Sequence, residues 1–270
     1  RPVIVHQRVE FSLLSIEQIF NQIAKWNYMS AGSSPAPIVI RLIIGKGWGQ
    51  GPQHSQSLET IYSHIPGLKV VCPSSPQDAR DLMISSIKDN NPVIFFEHRW
   101  CHSIKGKVNK KIKSSKIGKG KILRKGKHIS LISFSYSIIE CIFAAKILKK
   151  YGILCEVLDL RSLRPIDKKA IIKTANKTKK ILIVDNGMKT FGVSAEILSI
   201  IYENLKNIYV ERIGVLDTPL PSSVALAKYC YPEHEEIIKK VCKILKITKK
   251  INIKKNKNPD QPNSDFIGPF

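Results

Sequence analysis

An α/β fold in two domains, each a mostly parallel sheet flanked by helices, is predicted by three observations. Short apolar runs recur that are too brief for helices, segments of helical period lie between them, and a basic stretch without periodicity splits the series in two. The runs at 38–44, 93–97 and 129–134 are largely apolar on both faces, as strands of a parallel sheet covered on both sides must be. With 270 residues, 43% of them hydrophobic, the chain has the material for two such cores.

The elements follow in order. Residues 2–5 form a short β-branched strand, and residues 10–28 place Phe11, Leu14, Ile16, Ile19, Phe20, Ile23 and Trp26 at helical spacing. The strand 38–44 runs into a glycine-rich turn, Gly45, Gly47, Gly49 and Gly51, that delivers His54. Such a turn permits close approach of chain or ligand. It is neither a dinucleotide fingerprint, because Gln50, Pro52 or His54 stands where the third glycine belongs, nor a phosphate loop, because Gly47 follows Lys46. A short helix at 56–64, a strand at 68–71, a helix at 76–88 with proline in its first turn and a strand at 93–97 complete the first domain, 1–98.

Residues 99–127 read as an exposed basic linker. A second series then runs strand 129–134, helix 137–151 closed by Gly152, strand 154–160, helix 167–176, strand 181–185, helix 193–205, strand 208–213 and helix 232–245. These elements make a second domain, 128–247, followed by a polar tail, 248–270, without a core-forming pattern.

The formal net charge is +23, yet its distribution argues against nucleic acid. Eleven Lys and Arg residues crowd into 105–127, where no acid occurs, and aromatic residues are not interleaved with the basic runs as a stacking platform requires. No apolar run reaches the length of a membrane span. Six cysteines without C-x-x-C spacing point to a reducing cytoplasm. His98 and His102, with Cys101 between them, have zinc-like spacing but lack a further ligand, so an exposed turn is expected there. Ser55 beside His54 makes no hydrolase dyad, since no G-x-S-x-G elbow is present.

Several stretches together carry a family resemblance: Gln53-His-Ser-Gln56, Pro66-Gly-Leu-Lys-Val-Val71, Pro73-Ser-Ser-Pro-Gln-Asp-Ala79, Lys88-Asp-Asn-Asn-Pro-Val93 with Phe96-Glu97, and Asp159-Leu-Arg-Ser-Leu-Arg-Pro-Ile-Asp167. In this order and spacing, from residue 1 to about 247, the chain resembles the beta subunits of thiamine-diphosphate-dependent 2-oxoacid dehydrogenases of the pyruvate type. The resemblance implies that the first domain is the pyrimidine-binding half of the thiamine site, N-terminally incomplete here, and that the second is a transketolase-type C-terminal domain used for assembly.

It also implies roles for particular residues. His54 matches the histidine near the channel where substrate and lipoyl group meet the cofactor, and an imidazole can exchange a proton at neutral pH; ordering of the glycine turn is the competing role. Phe11 matches the aromatic that packs on the aminopyrimidine ring, although its spacing equally suits a first core residue. Ile38, Ser86, Ile87, Asp89 and Asn91 match a monovalent-cation site, expected to take potassium, where a local turn is the alternative.

The carboxylate that activates the aminopyrimidine lies upstream of the matched region in the family; Glu10 is not assigned that part. The diphosphate motif is absent too, so Mg2+ is expected through an alpha subunit. The implied partners are that alpha subunit in a heterotetramer, a lipoyl acyltransferase and a 2-oxoacid substrate. A non-catalytic assembly protein that keeps the C-terminal domain is the second expectation. Lys46 and Trp48 depart from the family, and Lys46 would suit a substrate carboxylate.

Overall fold

The computed structural model describes residues 1–46, 49–111 and 114–253. The first sheet is ordered β1 (Val3–His6), β2 (Val39–Ile44), β4 (Val93–His98), β3 (Lys69–Val71) and β8 (Ser162–Arg164). Its first four strands are parallel and start in one row, Val3 opposite Val39, Val39 opposite Val93 and Val93 opposite Lys69. Because both faces of a parallel sheet are covered, β4 is buried along most of its length.

The second sheet is ordered β10 (Tyr209–Val215), β9 (Lys180–Met188), β6 (Ile129–Ser133), β7 (Cys155–Asp159) and β5 (Lys121–Arg124). Here β5 alone is antiparallel, against β7. Helices α5 (Ser137–Lys149), α6 (Lys168–Thr178), α7 (Val193–Asn204) and α9 (His234–Leu245) flank this sheet, while α3 (Glu59–His64) and α4 (Pro76–Lys88) belong to the first. No helix of the described residues is long and apolar enough to cross a membrane.

Local chemistry sets the helix starts. The Ser75 hydroxyl accepts from Asp78 N–H at 3.1 Å ahead of Pro76, and the Asp167 carboxylate accepts from Ala170 N–H at 3.1 Å ahead of α6. The helix expected over 10–28 is instead a 3-10 helix, Val9–Ser15, a π-helical turn, Gln18–Ile23, and a short α-helix, α1 (Ala24–Met29). Ser12 explains the tight first piece: its hydroxyl donates to Val9 O at 2.5 Å, a three-residue reach that matches 3-10 winding. Tyr62, fully buried, bonds the same hydroxyl and stands edge-on to Phe96 at 5.5 Å.

Two short strands were not expected, and both are antiparallel edges. β5 falls inside the stretch read as an exposed linker, and the same stretch buries Trp100 and packs Ile117 near Val39, Leu82 and Phe95. β8 leaves the second half of the chain to pair with β3, Val70 opposite Arg164. One apolar cluster accordingly runs through both halves, from Leu42, Ile44 and Phe96 to Phe134, Leu158 and Ile197. Polar contacts follow the same seam. Arg161 donates to Asp78 at 2.7 Å, Ser74 to Asp159 at 2.6 Å, and Asn186 to Glu59 at 2.8 Å.

Candidate active site

β2 and β4 end side by side, Ile44 opposite His98, and the glycine-rich loop leaves from that end. Gly45 has φ +94°, and a Cβ there would meet the His98 imidazole at 2.1 Å, so conformation and space both require glycine. Its carbonyl accepts from Arg8 at 3.2 Å, which ties the loop to the start of the 3-10 helix. Further on, Gly49 and Gly51 pass Ser222 of the second domain so closely that a Cβ would come within 3.2 and 2.7 Å of it. The loop then winds into the single-turn helix α2 (Gly51–His54).

This path brings His54 to the two residues that begin the 3-10 helix. Its Nδ1 shares a short hydrogen bond with Glu10 Oε1, and its ring lies 5.7 Å from that of Phe11, tilted by 38°. Glu10 is largely buried, and its Oε2 has no hydrogen-bond partner among the described residues. Phe11 keeps 46% of its surface exposed. A carboxylate on Nδ1 fixes the ring's orientation and tautomer and leaves Nε2 as the atom that meets a ligand. A polarised imidazole beside a bare aromatic face can therefore hold a flat heterocycle and move a proton next to it.

The two residues picked from the sequence for this chemistry thus touch each other. Glu10 was not assigned there, and the structure gives it to His54 as a partner. The signal available was its place immediately before Phe11, which on a tight 3-10 turn brings both to one loop. Beside α2, a cleft of about 590 Å3 lies between Gln53, Ser55 and Leu58 on one side and Gly187, Phe191 and Leu220 on the other.

Of the residues proposed for a monovalent cation, Ile87 and Asp89 have cationic partners of the chain itself. Ile87 O and Asp89 O accept from Arg1 at 2.9 and 2.6 Å, and the Asp89 carboxylate pairs with Lys69 at 2.5 Å. Its other oxygen accepts from the backbone and side chain of Asn91, which is the local turn. Ile38 O accepts from Val93 N–H in the sheet, and the Ser86 hydroxyl donates to Leu82 O at 2.7 Å. Burial raises the Asp89 carboxyl, but the bonds from Lys69 and Asn91 outweigh it and leave it below the usual range.

His98 and His102 do not converge. His98 is buried, stacks on Tyr136 at 4.8 Å and accepts from Trp100 N–H at 3.2 Å, whereas His102 bonds Glu97 at 3.0 Å. Burial, with Lys46 close by, holds His98 well below the ordinary histidine range and so neutral. No group of three or more His, Cys, Asp or Glu side chains among the described residues is placed to hold a metal. The exposed turn expected here is a 3-10 turn, Arg99–Ser103, whose Trp100 is buried. Lys46 is 5% exposed and turned inward, which removes it as a solvated contact for a substrate carboxylate. Trp48 lies outside the described residues.

A parallel-sheet domain with an aromatic and an acid–base pair at its edge, locked to a second α/β domain, defines a transketolase-type architecture. Family comparison agrees: residues 1–101 match the transketolase pyrimidine-binding domain and residues 118–237 the transketolase C-terminal domain. A split-gene transketolase, described as an inactive β4 tetramer, superimposes with a TM-score of 0.73 at 20% identity, covering 92% of this chain and 76% of that one, and shows the same fold.

Among curated proteins, the pyruvate dehydrogenase E1 component beta subunit of Rickettsia felis is 37% identical over 248 residues, 90% of this chain and 76% of that one. The mitochondrial subunit of the same name from Mus musculus is 38% identical over 92% of this chain and 71% of its own length. The beta subunit of an acetoin:2,6-dichlorophenolindophenol oxidoreductase from Cupriavidus necator is 33% identical over 91% and 74%. The chain belongs to the beta-subunit family of thiamine-diphosphate-dependent 2-oxoacid dehydrogenases.

Proposed function

We propose that this chain supplies the acid–base half of a 2-oxoacid decarboxylation whose acyl product passes to a lipoyl carrier. The observation that carries the reading is the Glu10–His54 pair against the exposed ring of Phe11. Thiamine diphosphate, when bound, supplies the carbanion that attacks the oxo carbon. Phe11 offers its flat face to the aminopyrimidine. His54, oriented by Glu10, holds or delivers a proton at Nε2 toward the reacting oxygen. The diphosphate and its Mg2+ fall to an alpha subunit in a shared heterotetramer, and the acyl group to a lipoyl acyltransferase. Pyruvate leads the substrate panel because the relatives from Rickettsia felis and Mus musculus carry that name, and acetoin belongs in it because of the third.

A potassium ion at Ile38, Ser86, Ile87, Asp89 and Asn91 is proposed only in competition with Arg1 and Lys69, whose charges meet the oxygens of Ile87 and Asp89. Replacing sodium by potassium then raises the melting temperature only where Arg1 yields. The six cysteines, all free thiols, suit a reducing cytoplasm.

Calorimetry of thiamine diphosphate and Mg2+ on the chain mixed with its alpha subunit tests the main reading. Binding in the mixture alone is expected, and Phe11→Ala weakens it roughly tenfold, the loss of one good ring contact. No binding in the mixture would move the chain to a non-catalytic assembly role.

A further inference from the structure

Lys46 opens the glycine-rich loop, and its ammonium enters a cage of aromatic rings contributed by both domains. It lies 4.4 Å from the centre of the Trp100 ring, 4.3 Å from that of Tyr231 and 5.9 Å from that of Tyr136, with Glu233 Oε1 at 3.8 Å. Trp100 follows β4, Tyr136 precedes α5, and Tyr231 and Glu233 precede α9. The walls are themselves braced. Tyr136 donates to Glu140 at 3.0 Å, and Glu140 accepts from both the backbone and the ring of His234 at 2.9 and 3.0 Å. Burial raises Glu140, but its bonds from His234 and the charge of Lys46 outweigh that and keep it ionised. The ammonium therefore has ring faces and carboxylates in place of water.

We propose that Lys46 is a positioning residue: it pins the loop that ends in His54 onto the second domain, so that the imidazole stands at its angle to Glu10 and Phe11. The loop's glycines give it the freedom that such a pin removes, and Gly49 and Gly51 pass close over Ser222, also of the second domain. The inference rests on the function proposed above for its catalytic consequence, but the anchoring itself does not.

The test uses the complete chain assembled with its alpha subunit, comparing Lys46→Met, which keeps length and removes charge, with Lys46→Arg, which keeps a cation able to stack on rings. Hydrogen exchange at residues 49–56 is expected to quicken by about tenfold or more in K46M and to return toward wild type in K46R. With pyruvate, kcat for acyl transfer is expected to fall by roughly ten- to a hundredfold in K46M, with KM within about twofold, and to recover in part in K46R.

Unchanged exchange in K46M overturns the proposal whatever the enzyme does, and so does faster exchange with unaltered kcat. An assembly that turns over no substrate even as wild type, yet shows the exchange difference, retires the enzyme reading and keeps the anchor. Should K46M fail to fold, Tyr231→Leu opens the cage from the other side and is held to the same outcomes.

Discussion

His54 touches two neighbours of unequal legibility. Phe11 and His54 were picked out by the family resemblance, His54 with the help of its place after a glycine turn, whereas the helical spacing of Phe11 alone equally suited a core residue. Glu10 was not read as their partner: its place immediately before Phe11 is a signal only once the segment is known to wind as a tight 3-10 turn rather than the expected α-helix. The contact exists because Ser12 and Tyr62 hold the 3-10 turn in place. The aromatic setting of Lys46, a residue expected to suit a substrate carboxylate, was not foreseen for a similar reason, its rings lying on elements far along the chain. If the pair works as proposed, His54→Ala lowers acyl transfer by about two to four powers of ten, and Glu10→Gln by roughly ten- to a hundredfold, as expected for loss of a proton carrier and of the group that orients it. Single-turnover transfer to a lipoyl domain measures both, and equal rates for Glu10→Gln and wild type would release Glu10 from the mechanism.

At the scale of elements, the long buried strands and the helices at 76–88 and 137–151 were plain, since apolar runs, a proline in a first turn and a closing glycine are local signals. Apart from the segment 10–28, which winds as three short helical pieces, the errors fell on edges. β5, Lys-Ile-Leu-Arg, and β8, Ser-Leu-Arg, are short, half polar and flanked by lysine or proline, so their strand character comes from the neighbour they pair with. The stretch before β5 looked like a linker for the same reason: its lysines hide the contacts made by Trp100 and Ile117. The loop between β2 and α2 shows the opposite case, where one residue type announces its geometry. Gly45→Ala places a methyl group against His98 at a left-handed φ, and a loss of about 2–4 kcal/mol in unfolding free energy is expected by chemical denaturation. A variant as stable as wild type would show that His98 can move aside.

Over the whole molecule, the seam between the domains carries buried acids. Burial lifts Glu59 to about 7; its own backbone N–H and the Asn186 amide pull the other way, and Asp185 pushes it further up. An acid whose folded pKa is raised holds a proton that the unfolded chain has already released. Its contribution to stability therefore falls as pH rises from about 4.5 toward about 7. Across that window the loss amounts to roughly 3 kcal/mol at most. Glu59→Gln keeps the acceptor for Asn186 and abolishes the charge, so its advantage over wild type should grow between pH 5 and pH 8 in parallel melts. An advantage independent of pH would mean that Glu59 ionises freely.

The pairing of β8 with β3 sets an order of events during synthesis. The first sheet lacks its outer strand until Ser162–Arg164 has left the ribosome, by which time β5, β6, α5 and β7 have already been made. A nascent chain halted before that point exposes the open edge of β3, where a chaperone or a second nascent chain can pair. Completion of the N-terminal half is thereby timed by translation of the C-terminal half.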